Sequence, residues 1–252
     1  MTTVALITGA AGGIGAAVAR RLTAGGATCV LVDLDAEGVE RVAREVGGAW
    51  LAGDVSDPET SRRAVALAEE RHGRLDLVHL NAGITSGVDM AAFDLVQYRR
   101  AVGVNMDGVV FGVSAAVPLL VRSGGGAIVV TSSLAGLTAY DGDPVYTMTK
   151  HAVVGLVRAL AVPLSSDNIR IGAVCPGFTD TPLVADIRDM FVGAGFPMLT
   201  AEDVAAAVES AFYTEEPGTL LVVQPGRQPV PYRYAGVPGP VGGQKPPNLI
   251  QS

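Results

Sequence analysis

The start of the chain constrains the fold most strongly, because a short apolar run there leads directly into a glycine-rich turn. Residues 4–7 are all apolar, residues 8–15 contain four glycines, and the stretch at residues 16–24 predicts a helix. A second apolar run, residues 28–32, ends at Asp33. The order of strand, glycine turn, helix, strand and acid predicts a βαβ unit.

This unit has the features of a dinucleotide site. Gly9, Gly13 and Gly15 let the backbone turn tightly and approach a pyrophosphate, and the following helix presents N–H groups and the positive end of its dipole. Asp33, about 20 residues beyond the turn, can accept hydrogen bonds from an adenosine ribose and would repel a 2′-phosphate, which favours NAD over NADP. No Lys-Ser/Thr pair follows the glycines, so a nucleoside triphosphate is not expected. The alternative is a purely structural glycine turn.

The alternation of apolar runs and helical segments continues far along the chain. It predicts seven strands in a doubly wound parallel sheet with helices on both faces, a single Rossmann-type α/β domain over residues 1–252. Long helices are predicted at residues 91–122 and 145–164, and the last strand at residues 219–224. A tail rich in proline and glycine follows at residues 225–252. The tail has too few regular apolar positions to pack as a domain, so it either wraps a neighbouring subunit or is disordered.

Several polar or glycine-marked positions follow predicted strands. Ligands of open α/β sheets bind outside the carboxyl ends of the strands, so these positions are expected beside the dinucleotide. Asp54 is predicted to accept from an adenine amine, or else to cap a turn. The strand-end positions are Asp54, Val55, Asn81, Ala82, Gly83, Ser132 and Ser133.

Tyr146 and Lys150 place a phenol and an ammonium four residues apart. On a helix this spacing puts both side chains on one face, one turn apart. A tyrosine with its ordinary pKa of ~10 is a poor base at neutral pH, and a nearby ammonium lowers that pKa. The pair is therefore predicted to pass a proton to or from a substrate oxygen, although the same spacing occurs on ordinary surface helices. Asn105 lies within an apolar helical stretch, where a satisfied core amide is an equally good interpretation.

Charge and composition exclude several other classes of protein. The net charge of −7 argues against a nucleic acid or an anionic membrane as partner. No apolar run is long and uninterrupted enough to span a bilayer, and the first strand leaves no room for a signal peptide, so a cytoplasmic location is expected. Cys29 and Cys175 lie in apolar runs and are predicted to be buried and free. No metal site is predicted.

Together these motifs resemble the short-chain dehydrogenase/reductase family, whose order and spacing they follow over roughly residues 3–224. Residues 144–155 and 175–178 are most similar to the NAD-linked 15-hydroxyprostaglandin dehydrogenase-like branch. The resemblance implies reversible hydride transfer between NAD and an alcohol or ketone. It also implies a homodimer or homotetramer built on the two long helices. The end of the chain departs from the family pattern, which leaves the usual tetramer packing around the last strand open.

The resemblance also implies a role for individual side chains. Tyr146 would be the general acid/base, and Lys150 would hold the nicotinamide ribose and lower the tyrosine pKa. Ser133 would hydrogen-bond the substrate oxygen, and Asn105 would anchor a water that connects Lys150 to bulk solvent. The positions expected to bind NAD are Gly9, Gly13, Ile14, Gly15, Asp33, Asp54, Val55, Asn81, Ala82, Gly83, Tyr146, Lys150, Pro176, Gly177, Thr179 and Thr181.

The substrate wall is predicted from the loops at residues 84–90, 134–145 and 178–196, which are largely apolar. They favour a small-molecule secondary alcohol or ketone with a hydrophobic body. The segment at residues 182–199 is expected to be a mobile lid or a static pair of helices. Asp143, three residues before Tyr146, either touches a polar group of the substrate or lies in solvent. The alternatives to this enzyme are an idle NAD-binding scaffold and an epimerase or dehydratase of nucleotide sugars.

Overall fold

The strands of the computed structural model, which describes residues 2–236, are short apolar segments joined into one sheet. The sheet has eight strands in the order β3-β2-β1-β4-β5-β6-β7-β8, and the first seven along the chain run parallel. They are β1 (Val4–Thr8), β2 (Thr28–Asp33), β3 (Ala49–Ala52), β4 (Leu77–Leu80), β5 (Gly126–Thr131), β6 (Ile169–Pro176) and β7 (Leu220–Val223). The doubly wound α/β fold is therefore confirmed.

The predicted number of strands was wrong by one. A two-residue strand, β8 (Val230–Pro231), pairs antiparallel with β7, and the Tyr232 amide donates to the Leu220 carbonyl at 2.8 Å. The pairing is made by backbone groups in a proline-rich stretch without apolar alternation, so no sequence pattern marks it. The expected tail thus begins with an ordered edge strand, while its residues 237–252 lie outside the described part of the chain.

Helices cover both faces of the sheet. They are α1 (Gly13–Ala24), α2 (Ala36–Val46), α3 (Pro58–His72), α4 (Leu95–Val102), α5 (Gly108–Arg122), α6 (Pro144–Ser165), α7 (Ala185–Gly193) and α8 (Ala201–Phe212). One core lies between the sheet and α3, α5 and α6, and the other between the sheet and α1, α2 and α8. Leu6 and Ile7, adjacent on β1, point into opposite cores and are both buried, which explains the continuous apolar runs. Cys29 and Cys175 are buried and free, as predicted.

The predicted helix at residues 91–122 begins later and is not regular throughout. It starts at Leu95, because Asp94 is the N-cap, whose side chain accepts from the Val96 amide at 2.7 Å. A π-helical turn at Gly103–Asp107 joins α4 to α5. The whole segment, Leu95–Arg122, has 28 residues and a mean hydropathy of 1.7 in its most apolar window, of which 44% is buried inside the protein. By length and composition this segment reaches the size of a membrane span, contrary to the sequence expectation. Its buried side packs in the core against the sheet.

The order of the strands creates the crevice that holds the site. β1 pairs with β2 on one side and with β4 on the other. The strands that follow β1 are therefore added in one direction up to β3 and in the opposite direction from β4 onwards. The connections that leave the carboxyl ends of β1 and β4 run to opposite faces and open a gap above the sheet edge. The glycine turn after β1 and residues 81–83 after β4 border that gap.

Candidate active site

The glycine turn forms a backbone cradle at the start of α1. Gly9 and Gly13 have φ angles of +67° and +51°, which residues with a side chain rarely adopt. A Cβ on Gly15 would lie 2.1 Å from the Gly9 carbonyl oxygen. The N-cap Gly12 offers no side-chain acceptor, and the first turn of α1 contains no acid. The first amides of this helix are therefore left for an anionic ligand, and the cradle fits a pyrophosphate.

Asp33 lies beside this cradle at the end of β2. Its Oδ2 accepts from the Ala11 amide at 2.9 Å and its Oδ1 from the Asp35 amide at 3.0 Å. Arg41 reaches the same place, where its guanidinium donates to the Ala11 carbonyl at 3.2 Å. Carboxylate oxygens have spare lone pairs, so Asp33 can still accept from a ribose hydroxyl. The residues present fit the adenosine end of NAD.

The structure places Asp54 and Val55 at the end of β3, outside the main cleft. Asp54 is exposed, and its Oδ1 accepts from the Ser56 amide at 2.9 Å, which is the turn-capping role considered from the sequence. Val55 is buried against Gly108, where a Cβ would come within 2.9 Å of the valine side chain. Their contact with adenine stays a prediction.

Asn81 ties the end of β4 to the glycine turn. Its side-chain amide donates to the carbonyls of Thr8 and Gly9, both at 3.2 Å, and its backbone amide donates to the Thr8 hydroxyl at 2.9 Å. Its Oδ1 accepts from the Thr131 hydroxyl at 3.1 Å. The Oγ1 of Thr131 also lies 2.8 Å from the Nε2 of buried His79. No role was predicted from the sequence for Thr8, Thr131 or His79, for which an imidazole within an apolar run was the available signal.

Ser133, Tyr146 and Lys150 meet in the cleft between the end of β5 and the first turns of α6. The Ser133 hydroxyl and the Tyr146 phenol both border this cleft, and Ser133 is one of the groups that lower the pKa of Tyr146. Lys150 is 3% exposed, its Nζ donates to the Thr131 carbonyl at 2.9 Å, and it lies 5.5 Å from the centroid of the Tyr146 ring. The predicted one-turn spacing is thus confirmed, and the catalytic roles stay predictions.

The pKa values of this pair differ from the sequence expectation. Burial raises the pKa of Tyr146 to about 12, opposed by the Ser133 hydrogen bond and reinforced by Asp143 and Tyr140. Burial also lowers the pKa of Lys150 to about 8. The expectation that Lys150 lowers the tyrosine pKa stays a prediction, because in the protein alone the Lys150 Nζ donates to a backbone carbonyl and burial of the phenol dominates its pKa.

Asn105 lies in the π-helical turn and is 1% exposed. Its Oδ1 accepts from the Ile84 amide at 2.9 Å, and its Nδ2 donates to the Ile84 carbonyl at 2.9 Å and to the Thr149 hydroxyl at 3.1 Å. It is a satisfied core amide that fixes the loop after β4. A Cβ on Gly83 would lie 3.4 Å from its Oδ1 and 3.3 Å from the Lys150 Nζ, so these two side chains flank Gly83.

The connection after β6 closes the other side of the cleft. Pro176, Gly177 and Thr179 line it, and the Thr181 methyl lies 3.3 Å from the position of a Cβ on Gly13, so this segment folds over the cradle. Arg188 on α7 pairs with Asp180 through two hydrogen bonds of 2.8 and 3.1 Å. Arg188 and Asp180 were not singled out from the sequence.

An aromatic cluster, formed by Tyr140, Phe178, Phe191 and Phe196, backs the substrate end. The ring centroids of Phe178 and Phe191 are 4.2 Å apart, and those of Tyr140 and Phe178 are 6.1 Å apart. Phe196 completes the cluster, 5.3 Å from Phe191. The cleft itself has a volume of about 530 Å³. Its apolar wall at this end consists of Leu134, Tyr140, Phe178, Leu183, Val184 and Ile187.

Of the residues predicted to form the site, thirteen border this one cleft. They are Gly9, Gly13, Ile14, Asn81, Ala82, Gly83, Ser133, Tyr146, Lys150, Pro176, Gly177, Thr179 and Thr181. Asn105 and Gly15 lie directly behind its lining, and Asp33, Asp54 and Val55 lie at neighbouring strand ends. Asp143 is buried and bonded within the protein, so the interpretation that it lies in solvent was wrong. Because Asp143 also borders the cleft, its contact with a polar group of the substrate stays a prediction.

The chain is similar to proteins of known activity. A profile of the short chain dehydrogenase family matches residues 3–191. The chain is 36% identical over 192 residues to cyclohexanol dehydrogenase of Acinetobacter sp. (strain SE19), covering 74% of this chain and 76% of that protein. It is 37% identical over 232 residues to cis-4-hydroxycyclohexanecarboxylate dehydrogenase of Sinomonas cyclohexanicum, covering 87% and 92%.

A solved structure agrees with these sequence relatives. The 3-ketoacyl-(acyl-carrier-protein) reductase from Brucella melitensis, in a structure complexed with NADH, matches with a TM-score of 0.82 at 32% identity. The match covers 89% of this chain and 98% of that one. The chain therefore belongs to the short-chain dehydrogenase/reductase family, as its motifs predicted.

Proposed function

We propose that the protein interconverts an uncharged, hydrophobic secondary alcohol and its ketone with NAD as the cofactor. One observation carries the proposal: Ser133, Tyr146 and Lys150 line the same cleft as the glycine cradle and the apolar wall. Members of the family act with nicotinamide cofactors, and the named relatives are dehydrogenases of alcohols and hydroxy acids. The proposed catalytic unit is residues 1–252 in a cytoplasmic setting. The 15-hydroxyprostaglandin dehydrogenase-like branch stays a prediction.

In the proposed mechanism the protein supplies orientation and a proton. Bound NAD(H) supplies the hydride acceptor or donor. In the reducing direction the Tyr146 phenol, protonated at neutral pH because its pKa is about 12, donates its proton to the carbonyl oxygen. Ser133 donates a hydrogen bond to the same oxygen, which stabilises the charge that develops there. In the oxidising direction the Tyr146 phenolate takes the hydroxyl proton.

The proposed holder of the nicotinamide ribose is Lys150, and the proposed route for protons passes Asn105. Both side chains flank the backbone of Gly83 at the edge of the cleft. The low pKa of Lys150, about 8, lets this side chain take up and release a proton near neutral pH. The proposed holders of the pyrophosphate are the amides at the start of α1.

The lining of the cleft favours an uncharged substrate. Among the described residues that border it, the only charged side chains are Asp143 and Lys150. Asp143 accepts hydrogen bonds from the protein, and the Lys150 Nζ donates to a backbone carbonyl. A carboxylate on the body of the substrate would therefore be buried without a partner, which is costly. Cyclohexanol fits this cleft better than a hydroxycyclohexanecarboxylate does.

We also propose that copies of the chain associate through α5 and α6. Val110 and Val121 on α5 are 45% and 43% exposed, and Val162 on α6 is 69% exposed. Exposed apolar side chains on two long neighbouring helices are suited to an interface between subunits. The expected assembly is a homodimer or homotetramer.

The test of the proposed function is the variant Tyr146→Phe. We expect wild-type protein to bind NADH and to oxidise cyclohexanol, and the variant to lose about 100-fold or more of kcat with NADH affinity unchanged. NADH affinity is measured by fluorescence titration and turnover by absorbance of the reduced cofactor. Tyr213→Phe, an exposed tyrosine at the end of α8, is the matched control.

The outcomes separate the enzyme from the alternative scaffold. Tight NADH binding by the wild type without turnover of any alcohol in a hydrophobic panel would favour the scaffold. Faster turnover of cis-4-hydroxycyclohexanecarboxylate than of cyclohexanol would leave the enzyme in place and refute the uncharged substrate.

A further inference from the structure

Asp143 joins two parts of the cleft through one buried carboxylate. It is the N-cap of α6 and is only 8% exposed. Its Oδ1 accepts from the Tyr146 amide at 2.9 Å and from the Ser86 hydroxyl, and its Oδ2 accepts from the Ser86 amide at 2.7 Å. Ser86 is itself buried, 57 positions away in the sequence. The carboxylate thus holds the first turn of α6 against the loop after β4.

That loop forms part of the wall of the cleft. Ile84, at its start, is held by the Asn105 side chain through both backbone groups. Ser86 is held by Asp143, and its hydroxyl also accepts from the Val88 amide at 3.2 Å. Thr85, between these two anchors, borders the cleft. A shift of Asp143 would therefore move the wall at Thr85 and the helix turn that carries Tyr146 together.

The charge of Asp143 acts on the phenol as well. An anion close to a tyrosine disfavours the phenolate, and Asp143 is one of the groups that raise the pKa of Tyr146. The other groups around the phenol are the Ser133 hydroxyl after β5, the Tyr140 phenol in the loop before α6, and the Lys150 ammonium one turn along α6. Asp94, the N-cap of α4, makes the same kind of helix cap but is exposed and is bonded to its own helix.

We propose that Asp143 is a positioning residue, which fixes Tyr146 and the loop at residues 84–88 relative to each other. The inference rests on the proposed function for its kinetic consequences. Its structural part, a shared anchor for the loop and the helix, does not depend on any activity.

The kinetic test is the variant Asp143→Asn. An asparagine keeps one acceptor oxygen for the Tyr146 amide but turns an NH₂ group towards the Ser86 amide, so the loop loses its acceptor. We expect kcat for alcohol oxidation to fall about tenfold because small misplacements of reacting groups slow catalysis. Loss of the negative charge lowers the pKa of Tyr146, so the acidic limb of the profile of kcat/KM against pH should move to lower pH by about half a unit to one unit.

Two further variants separate position from charge. Ser86→Ala removes the two hydrogen bonds of the serine hydroxyl, to Asp143 and from the Val88 amide, and leaves the charge, so it should lower kcat without moving the acidic limb. Asp94→Asn changes an equivalent helix cap away from the cleft and should leave both kcat and the profile unchanged. A kcat of Asp143→Asn equal to that of the wild type would overturn the proposal.

Hydrogen exchange of backbone amides gives a readout independent of activity. In Asp143→Asn we expect faster exchange at Ser86, whose amide loses its acceptor, and a smaller acceleration at Tyr146, whose amide exchanges a charged acceptor for a neutral one. In Asp94→Asn the acceleration should be confined to Val96 and Gln97. Acceleration at Tyr146 alone would show an ordinary helix cap and refute the shared anchor. If Asp143→Asn does not fold, Ser86→Ala decides by the same exchange at residues 84–88: unchanged exchange there refutes the proposal.

Discussion

At the scale of single residues, burial sets the protonation states in the cleft. It raises the pKa of the Tyr146 phenol and lowers that of the Lys150 ammonium, because a low-dielectric surrounding disfavours the charged form of each. The two pKa values shift in opposite directions, and both shifts favour the neutral form. Tyr146 keeps its proton, and Lys150 loses its proton above about pH 8. The Tyr146 phenol is therefore an acid before a cofactor or substrate arrives.

Cofactor preference belongs to this scale, since it is predicted from one carboxylate, that of Asp33. For Asp33→Ser we expect NADH affinity to fall by about tenfold, because a charge-assisted hydrogen bond to the ribose is lost, and NADPH affinity to rise. Arg41, beside Ala11, remains to meet a 2′-phosphate. Fluorescence titration with both cofactors is the measurement.

The matched control for this variant is Asp35→Asn. Asp35 caps α2 two residues further on, so the control removes the same charge from the same region. Wild-type protein that binds NADPH as tightly as NADH would contradict the assignment of Asp33 to cofactor selection.

His79 makes the stability of the protein depend on pH. It is fully buried, and burial lowers its pKa from 6.5 to about 3. The neutral form is favoured in the folded state, so the stabilisation is complete above about pH 6.5 and is lost as pH falls towards 3. We expect the free energy of unfolding in urea to be lower at pH 5 than at pH 7 by about 2 kcal/mol from this group.

The variant His79→Val tests this assignment. It should remove this part of the pH dependence, whereas His151→Gln, at an exposed position on α6, should keep it. Identical pH dependence in wild type and His79→Val would refute the role of the imidazole.

At the scale of secondary structure, α7 is only weakly attached to the rest of the protein. None of its residues is buried, and it is fastened by the Arg188–Asp180 pair and by the contact of Phe191 with Phe178. Exposed ion pairs contribute little, so the ring contact carries most of the attachment. This is the physical basis for the predicted lid at residues 182–199.

The variant Phe191→Ala should loosen the lid. An aromatic pair contributes about 0.5–1.5 kcal/mol, so we expect KM for the alcohol to rise by about two- to tenfold and cleavage of α7 by protease to become faster. The control is Met190→Ala, because the Met190 side chain is 65% exposed. Equal protease sensitivity of the wild type with and without NADH would indicate static helices.

At the scale of the whole molecule, one edge of the sheet is covered and one helical surface is not. β8 pairs with β7, and Tyr234 near it stacks on Arg158 of α6, with the guanidinium carbon 4.0 Å from the ring centroid. Where β8 covers it, β7 is not free to pair with the sheet of another subunit. The exposed valines of α5 and α6 are therefore the surface proposed for association.

The variant Val162→Asp should weaken that association. A carboxylate at the centre of an apolar interface is buried without a partner, so we expect the sedimentation coefficient to fall to that of a monomer. Tyr213→Asp, at a tyrosine that is 64% exposed, should leave the assembly unchanged. Wild-type protein that sediments as a monomer would refute the interface.

The sequence by itself determined the features that local pattern encodes. Alternating apolar and helical segments predict a doubly wound sheet, the glycines predict the cradle, and a four-residue spacing predicts that Tyr146 and Lys150 share one face of a helix. Each of these depends on residues that are neighbours in the chain, so their periodicity and backbone freedom can be read directly.

Only the tertiary structure decided the environment of those residues. The direction in which the pKa of Tyr146 shifts depends on burial. Asp143 hydrogen-bonds Ser86, which is 57 positions away, and His79 lies within hydrogen-bond distance of Thr131, which is 52 positions away. β8 pairs through backbone groups that carry no sequence signal. Burial and long-range hydrogen bonds arise when the strand order brings distant segments together, and neither leaves a period in the sequence.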